Sequence, residues 1–144
     1  MCGKAKNPAG FSLVEVMVVL TVIGILVAMA LPSYERALEQ SRANIATANL
    51  RAIWSAERFY WLENRAYTAD LTILQTSGLL DPQVVLATSG YVYSVPAADS
   101  NTMTANATRT GSARWSGAYQ IDETGLISGS VEAAGQTPMT PGFQ

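Results

Sequence analysis

Glu15 is the residue in this chain whose position demands a reason. It stands in FSLVEVMVVLTVIGILVAMAL, residues 11–31, where no other charged side chain occurs. An ionised carboxylate in a bilayer costs about 2.5–3.5 kcal/mol even on the lenient insertion scale. Such a group persists where a cationic partner or a function offsets that cost. Just before the run stands a pair of small residues, Ala9-Gly10, and Lys4 and Lys6 precede them. Two other oxygen-rich stretches, Asp99-Ser100-Asn101 and Asp122-Glu123, carry groups that bind calcium elsewhere, but their context favours polar turns. Asn106-Ala107-Thr108 matches an N-glycosylation acceptor, and in a Thr-rich strand it reads as chance.

The rest of the chain excludes much chemistry. There is no histidine and one cysteine, Cys2. A disulfide within the chain is impossible, and the usual metal and nucleophile sets are missing. No nucleophile elbow, phosphate-binding loop or Gly-rich dinucleotide fingerprint is present. No catalytic site, no cofactor and no metal are expected. Cys2 does not suit a lipoprotein, because the apolar stretch follows it rather than precedes it. The net charge is −2 and only 14% of residues are charged. That balance carries no basic patch for nucleic acid, and no direct nucleic-acid partner is expected.

The element that holds Glu15 is the apolar run. A secretory signal places its small residues after a 7–15-residue core, whereas here they come before it. Phe11 to Leu31 is 21 residues, and at about 1.5 Å per residue a helix of that length matches a hydrocarbon layer of about 30 Å. The run therefore reads as a retained membrane helix, weakened or bent at Gly24 and Pro32. Both lysines lie on its short flank, which sets that flank on the cytoplasmic side and the long C-terminal part across the membrane.

Past Pro32 the sequence stays helical in character as far as Asn64. Leu38, Ile45, Asn49, Ala52, Ile53, Ala56, Phe59 and Tyr60 fall on one face. Ala43, Leu50, Trp54 and Trp61, with Thr47 at the edge, form a second patch on the opposite side. One face is expected to cover a globular domain and the second patch to face neighbouring subunits. YTADLTILQTSGLL, 67–80, reads as a loop with a short helix ending at Gly78, and Asp81-Pro82 as a turn. Strands are expected at 90–95, 102–110, 116–122 and 126–131. The last two form a hairpin across Glu123-Thr124-Gly125. The tail EAAGQTPMTPGFQ reads as loop or disorder. The expected fold class is α+β: a long N-terminal helix, half membrane-embedded and half amphipathic, packed on a small antiparallel sheet.

KNPAG followed by FSLVEVMVVLTVIGILVAMALPSYERA resembles the N-terminus of a type IV prepilin. Gly10, Phe11, Glu15, Gly24, Pro32 and Tyr34 all stand where that pattern wants them, and the match covers about the first sixty residues. The resemblance implies a leader, residues 1–10, cut off between Gly10 and Phe11 by a membrane-embedded prepilin peptidase that then N-methylates Phe11. It implies a filament-core half of the helix at 11–32, an amphipathic half at 33–64, and a loop, sheet and tail at 65–144. Glu15 would pair with the terminal amine of an adjacent subunit, and Glu15 and Pro32 are the expected assembly residues. The implied partners are identical or related pilin subunits in a helical homopolymer, an assembly ATPase, a platform membrane protein, and membrane lipid before assembly.

The implied function is that of a structural pilus subunit serving adhesion, motility or DNA uptake. It sits in a bacterial inner membrane before assembly and in a surface filament after it. The alternatives are a pseudopilin of a type II secretion system and a membrane-anchored binding module that never polymerises. The chain departs from the pattern at its C-terminal end, which many pilins close with a disulfide. With no cysteine beyond the leader, the last strands and tail are held by neighbours, by hydrogen bonding, or not tightly at all.

Overall fold

The computed structural model describes residues 10–86 and 90–141, with the backbone alone at Pro32. Gly10 is the only residue of the expected leader among them; Lys4, Lys6 and Cys2 lie outside. The chain divides into two units, the first ending at Leu38 and the second beginning at Glu39.

The first unit holds the start of helix α1, Leu13–Asn64. Every described side chain from Phe11 to Leu31 is exposed. Valine and isoleucine dominate this stretch, and their branched side chains are poor helix formers in water. Inside lipid a helix that satisfies its own backbone is the stable choice. Thr21 obeys the same rule, because its hydroxyl donates to the carbonyls of Met17 and Val18 at 3.1 and 2.7 Å. The helix runs on through Gly24 and Pro32 without interruption.

In the second unit α1 buries a row spaced alternately by four and three residues: Glu39, Ala43, Ala46, Leu50, Ile53 and Glu57. This corrects the two faces drawn from the sequence. Ala43, Leu50 and Thr47, expected to meet neighbouring subunits, are buried, and Trp54 and Trp61 pack against the core. Leu38, Ile45 and Phe59, expected in the core, are exposed. The core at these positions is built from small side chains, Ala43 and Ala46 on the helix with Ala105 and Ala107 on the sheet. A reading weighted by side-chain size is drawn instead to the larger exposed residues.

The helix ends where Arg65 enters the left-handed region at φ 59° and its amide closes on Trp61 O at 2.8 Å. Asn64 Nδ2 covers the Tyr60 carbonyl at 3.0 Å. Next comes α2, Leu71–Thr76, capped by Asp70, which accepts from the Thr72 amide at 2.8 Å. The residues expected to make a turn at Asp81-Pro82 instead start a short helix, α3, Pro82–Val85. Asp81 accepts from the Gln83 amide at 2.9 Å, and proline suits the first helical position because its missing N–H would have no partner there.

Four antiparallel strands complete the fold: β1 Tyr91–Ala98, β2 Met103–Arg109, β3 Trp115–Asp122 and β4 Ile127–Ala133, in that spatial order. Inward residues alternate, with Tyr91, Tyr93 and Val95 on β1 and Met103, Ala105 and Ala107 on β2. They share one core with the buried row of α1, so the expected α+β arrangement is observed. β3 and β4 approach closely at Gly117 and Gly129, where a Cβ would stand 2.2 Å from Ser130 O and 2.3 Å from Ala118 O.

Of the two readings of the tail, loop or disorder, the described residues show a docked loop. Residues 134–141 turn at Gly135 and return along β4, where Val131 and Met139 exchange hydrogen bonds of 3.1 and 2.9 Å. Tyr119 also donates to Met139 O at 2.9 Å. Met139 is buried. Prolines at 138 and 141 lack an amide hydrogen, and Met139 between them supplies the one that pairs. Burial and these hydrogen bonds hold the stretch around Met139 to the sheet.

Candidate functional site

Phe11 and Glu15 lie at the N-terminal end of α1, and both are exposed. Glu15 is in the helix's first turn, where the positive end of the helix dipole favours an anion. Ser12 precedes the helix and Glu15 follows three residues later, the spacing of a capping box. That local reason for a glutamate at this place was not drawn from the sequence, although Ser-x-x-Glu is legible there. Pro32, the other expected assembly residue, is not brought to this end. It lies 17 residues further along the helix, about 26 Å at 1.5 Å per residue.

A helix that is apolar on every side needs surroundings that are apolar on every side. α1 is long and apolar enough to cross a membrane, and none of its most apolar window is buried within the chain. Beyond it, on the side of α1 turned away from the sheet, Ile45, Phe59 and Leu62 are 48, 57 and 58% exposed.

Two buried acids went unnoticed in the sequence. Glu39 is paired with Arg109, whose Nε and Nη2 donate to its two carboxylate oxygens, the second at 3.0 Å. Both side chains are buried. Arg109 also donates to Gly90 O at 2.9 Å and to Thr110 O, and lies 5.6 Å from the centre of the Tyr91 ring. Arg42 adds a second, more exposed bridge to Glu39 at 3.2 Å.

Glu57 is also fully buried, and no ion pair to it stands among the described residues. One oxygen accepts the Thr68 amide at 3.0 Å and the other has no partner. Burial pushes its pKa up to about 7, and the Thr68 hydrogen bond opposes the shift only in part. The signal for both acids was available, since each lies on the same 4-3 row as Ala43, Leu50 and Ile53.

The two oxygen-rich stretches serve the turns. Asp99 Oδ1 accepts the amides of Asn101 and Thr102, both at 2.7 Å, and these bonds hold its pKa below the usual carboxylate range. Asp122 accepts from Thr124 and Leu126, and the Thr124 hydroxyl leads in lowering its pKa. Each turn is tied to α1 by a tryptophan. Trp61 Nε1 donates to Ser100 O at 2.8 Å and Trp54 Nε1 to Glu123 O at 3.1 Å.

The family model for the prokaryotic N-terminal methylation motif matches residues 5–31. This chain carries that motif. The chain is 36% identical over 59 residues to the type IV major pilin protein of Myxococcus xanthus, covering 41% of this chain and 27% of the relative. It is 36% identical over 62 residues to the type II secretion system core protein G of Pseudomonas aeruginosa, covering 43% and 44%. It is 30% identical over 74 residues to the type IV wide pilus major component of Thermus thermophilus, covering 51% and 56%. The chain is thus similar to both pilus and secretion proteins. The chain spans between about a quarter and just over half the length of these relatives.

Proposed function

We propose that this chain is a pilin-like structural subunit, held in a membrane by the first half of α1 and polymerised into a surface filament. The observation that carries the reading is the union of the methylation motif with a helix start that is apolar on every side and unburied among the described residues. In the membrane lipid covers it. In a filament the same helices of other copies replace the lipid.

The leader, residues 1–10, is removed between Gly10 and Phe11, and Phe11 is N-methylated. Both residues are exposed, as a peptidase requires. Removing the leader creates a cationic terminal amine four residues before Glu15. Glu15 then sets the register by pairing with that amine on an adjacent copy. A buried charge that accepts one partner at one height specifies register better than apolar packing does. An ATPase and a platform membrane protein supply the work of extraction.

The likeness to a secretion core protein supports a second reading, a subunit of a secretion pseudopilus. The two readings differ in outcome. Deleting a pilus subunit removes surface filaments, and deleting a pseudopilus subunit removes protein secretion.

The Glu15→Ala chain tests the mechanism. It should be processed normally, remain in the membrane and yield few filaments on shearing. Normal filament yield from that variant removes the register role.

A further inference from the structure

Glu57 meets the connection between α1 and α2, residues 65–70. Its Oε2 accepts the Thr68 amide at 3.0 Å, and among the described residues its Oε1, also buried, has no partner. Tyr67 and Thr68 are buried, whereas Ala69 and Asp70 beyond them are exposed. Two more contacts fasten the connection to α1. The Tyr67 ring stacks on Trp61 with centroids 6.3 Å apart, and Arg58 donates to the Tyr67 hydroxyl at 3.4 Å. The Tyr67 amide donates to Asp99 O at 2.9 Å, in the turn between β1 and β2. Against these contacts stands Arg65, a non-glycine residue in the left-handed region at φ 59°. Such a conformation persists only where its surroundings enforce it.

We propose that Glu57 is a proton-held clasp: protonated, it keeps the 65–70 connection closed on α1, and ionised, it lets that connection open while the rest of the unit stays folded. The inference concerns the subunit itself and does not depend on the filament reading. A neutral carboxyl loses little here, because one oxygen keeps the Thr68 amide. An ionised one is a buried charge with half of its acceptor capacity unused, and that is costly. Water can reach it by two routes. Lifting α1 from the sheet would dismantle the core, whereas lifting the connection breaks only the few contacts just named. Local openings of the second kind lie well below global unfolding in free energy.

The charged and titratable groups on the neighbouring elements have other work. On α1, Arg58 serves Tyr67, and Tyr60 gives its carbonyl to Asn64. On the connection, Arg65 lies 5.4 Å from the Trp61 ring centre and Asp70 caps α2. Asp99 and Asp122 bind the amides of their own turns, and Glu123 gives its carbonyl to Trp54. The shift of Glu57 to about 7 comes from burial, opposed in part by the Thr68 bond. The closed form therefore binds the proton more tightly than the open form, in which the pKa returns to 4.5. Acid closes the clasp and rising pH opens it, up to about pH 7, above which the balance is level. Opening bares the Tyr67 ring and the face of Trp61 that it covers, so this end of the unit gains an aromatic surface near neutral pH.

The test is amide exchange of the full chain in detergent micelles from pH 5.5 to 8.5, corrected for the intrinsic rate. The opening constant at Thr68 should rise about thirtyfold over that range, by a route that sub-denaturing urea does not speed, while Tyr119 in central strand β3 stays protected. Glu57→Gln keeps an acceptor for Thr68 and cannot ionise, so its curve should be level. Tyr67→Phe loses the Arg58 bond and keeps the ring, so its curve should rise as the wild type does. Thr68 exchanging in step with Tyr119 at every pH means that global unfolding alone frees the clasp, and overturns the proposal. A level wild-type curve overturns it too, and a level Tyr67→Phe curve moves the switch to Arg58 and Tyr67. Should Glu57→Gln fail to fold, the carboxyl carbon of Glu57 in the wild type decides: titration near 7 supports the clasp and titration near 4.5 contradicts it.

Discussion

Arg109 of β2 holds Glu39 of α1 through two nearly parallel hydrogen bonds, 70 residues apart in the sequence, with both side chains buried. Glu39 is also the first residue of the second unit, so the pair fastens the sheet to the helix at the start of that unit. A buried pair of this kind contributes little compared with an apolar replacement, but losing one partner strands a charge.

Arg109→Ala and Glu39→Ala are therefore each expected to cost up to about 3–5 kcal/mol, lessened in the first by the Arg42 bridge that stays on Glu39 and in the second by the Gly90 and Thr110 carbonyls that stay as acceptors for Arg109. The double variant Arg109→Met with Glu39→Leu should recover much of the loss. Chemical denaturation of the detergent-solubilised chain measures all three. Single-variant effects below about 1 kcal/mol, the range of exposed pairs, would show that the pair is solvated.

Glu57 gives the fold a pH dependence. Its folded pKa is about 7 against an ordinary value of 4.5, so the folded state binds the proton more tightly than the unfolded state does. Stability is then highest below about pH 4.5, falls as pH rises through the interval to 7, and is flat above it. The loss is on the order of 3 kcal/mol. Asp99 and Asp122, with lowered pKa values, act in the opposite sense and lose their contribution as pH falls below the ordinary carboxylate range. Glu57→Gln should remove the decline between pH 5 and 8 and stabilise the chain at pH 8. A wild-type melting temperature that stays level across that window contradicts the assignment.

Met139 closes the chain's end. Met139→Ala should cost about 2 kcal/mol, the low end for a buried methionine, and should speed amide exchange at Val131, whose N–H bonds to Met139 O. Unchanged exchange at Val131 would mean that the tail does not close on β4 in solution.

These features divide by how they are written in the sequence. The N-terminal motif, α1 and the hairpin of β3 and β4 rest on local signals: an apolar run, helix formers without Gly or Pro, alternation around Glu123-Thr124-Gly125. All three were legible. The faces of α1 were not, because the sheet selects Ala43 and Ala46 over larger side chains and that choice is made by the opposing surface. The tail was legible as a loop, but its docking on β4 was not, for a related reason. Its prolines and glycines are turn signals, and only the far edge of β4 makes Met139 a paired residue. The Glu39–Arg109 pair depends on strand register, which one helix cannot reveal. Glu39 and Glu57 on an otherwise apolar row were nevertheless a visible sign that something polar waits in the core.

The proposed function requires that the chain be processed at its methylation motif and polymerised through the helix so released. Mass spectrometry of the N-terminal peptide from filaments sheared off cells reads both steps at once. The expected peptide begins at Phe11 and carries one added methyl group. A filament fraction whose peptide still begins before Phe11, or a chain absent from filaments and present only in the membrane, contradicts it.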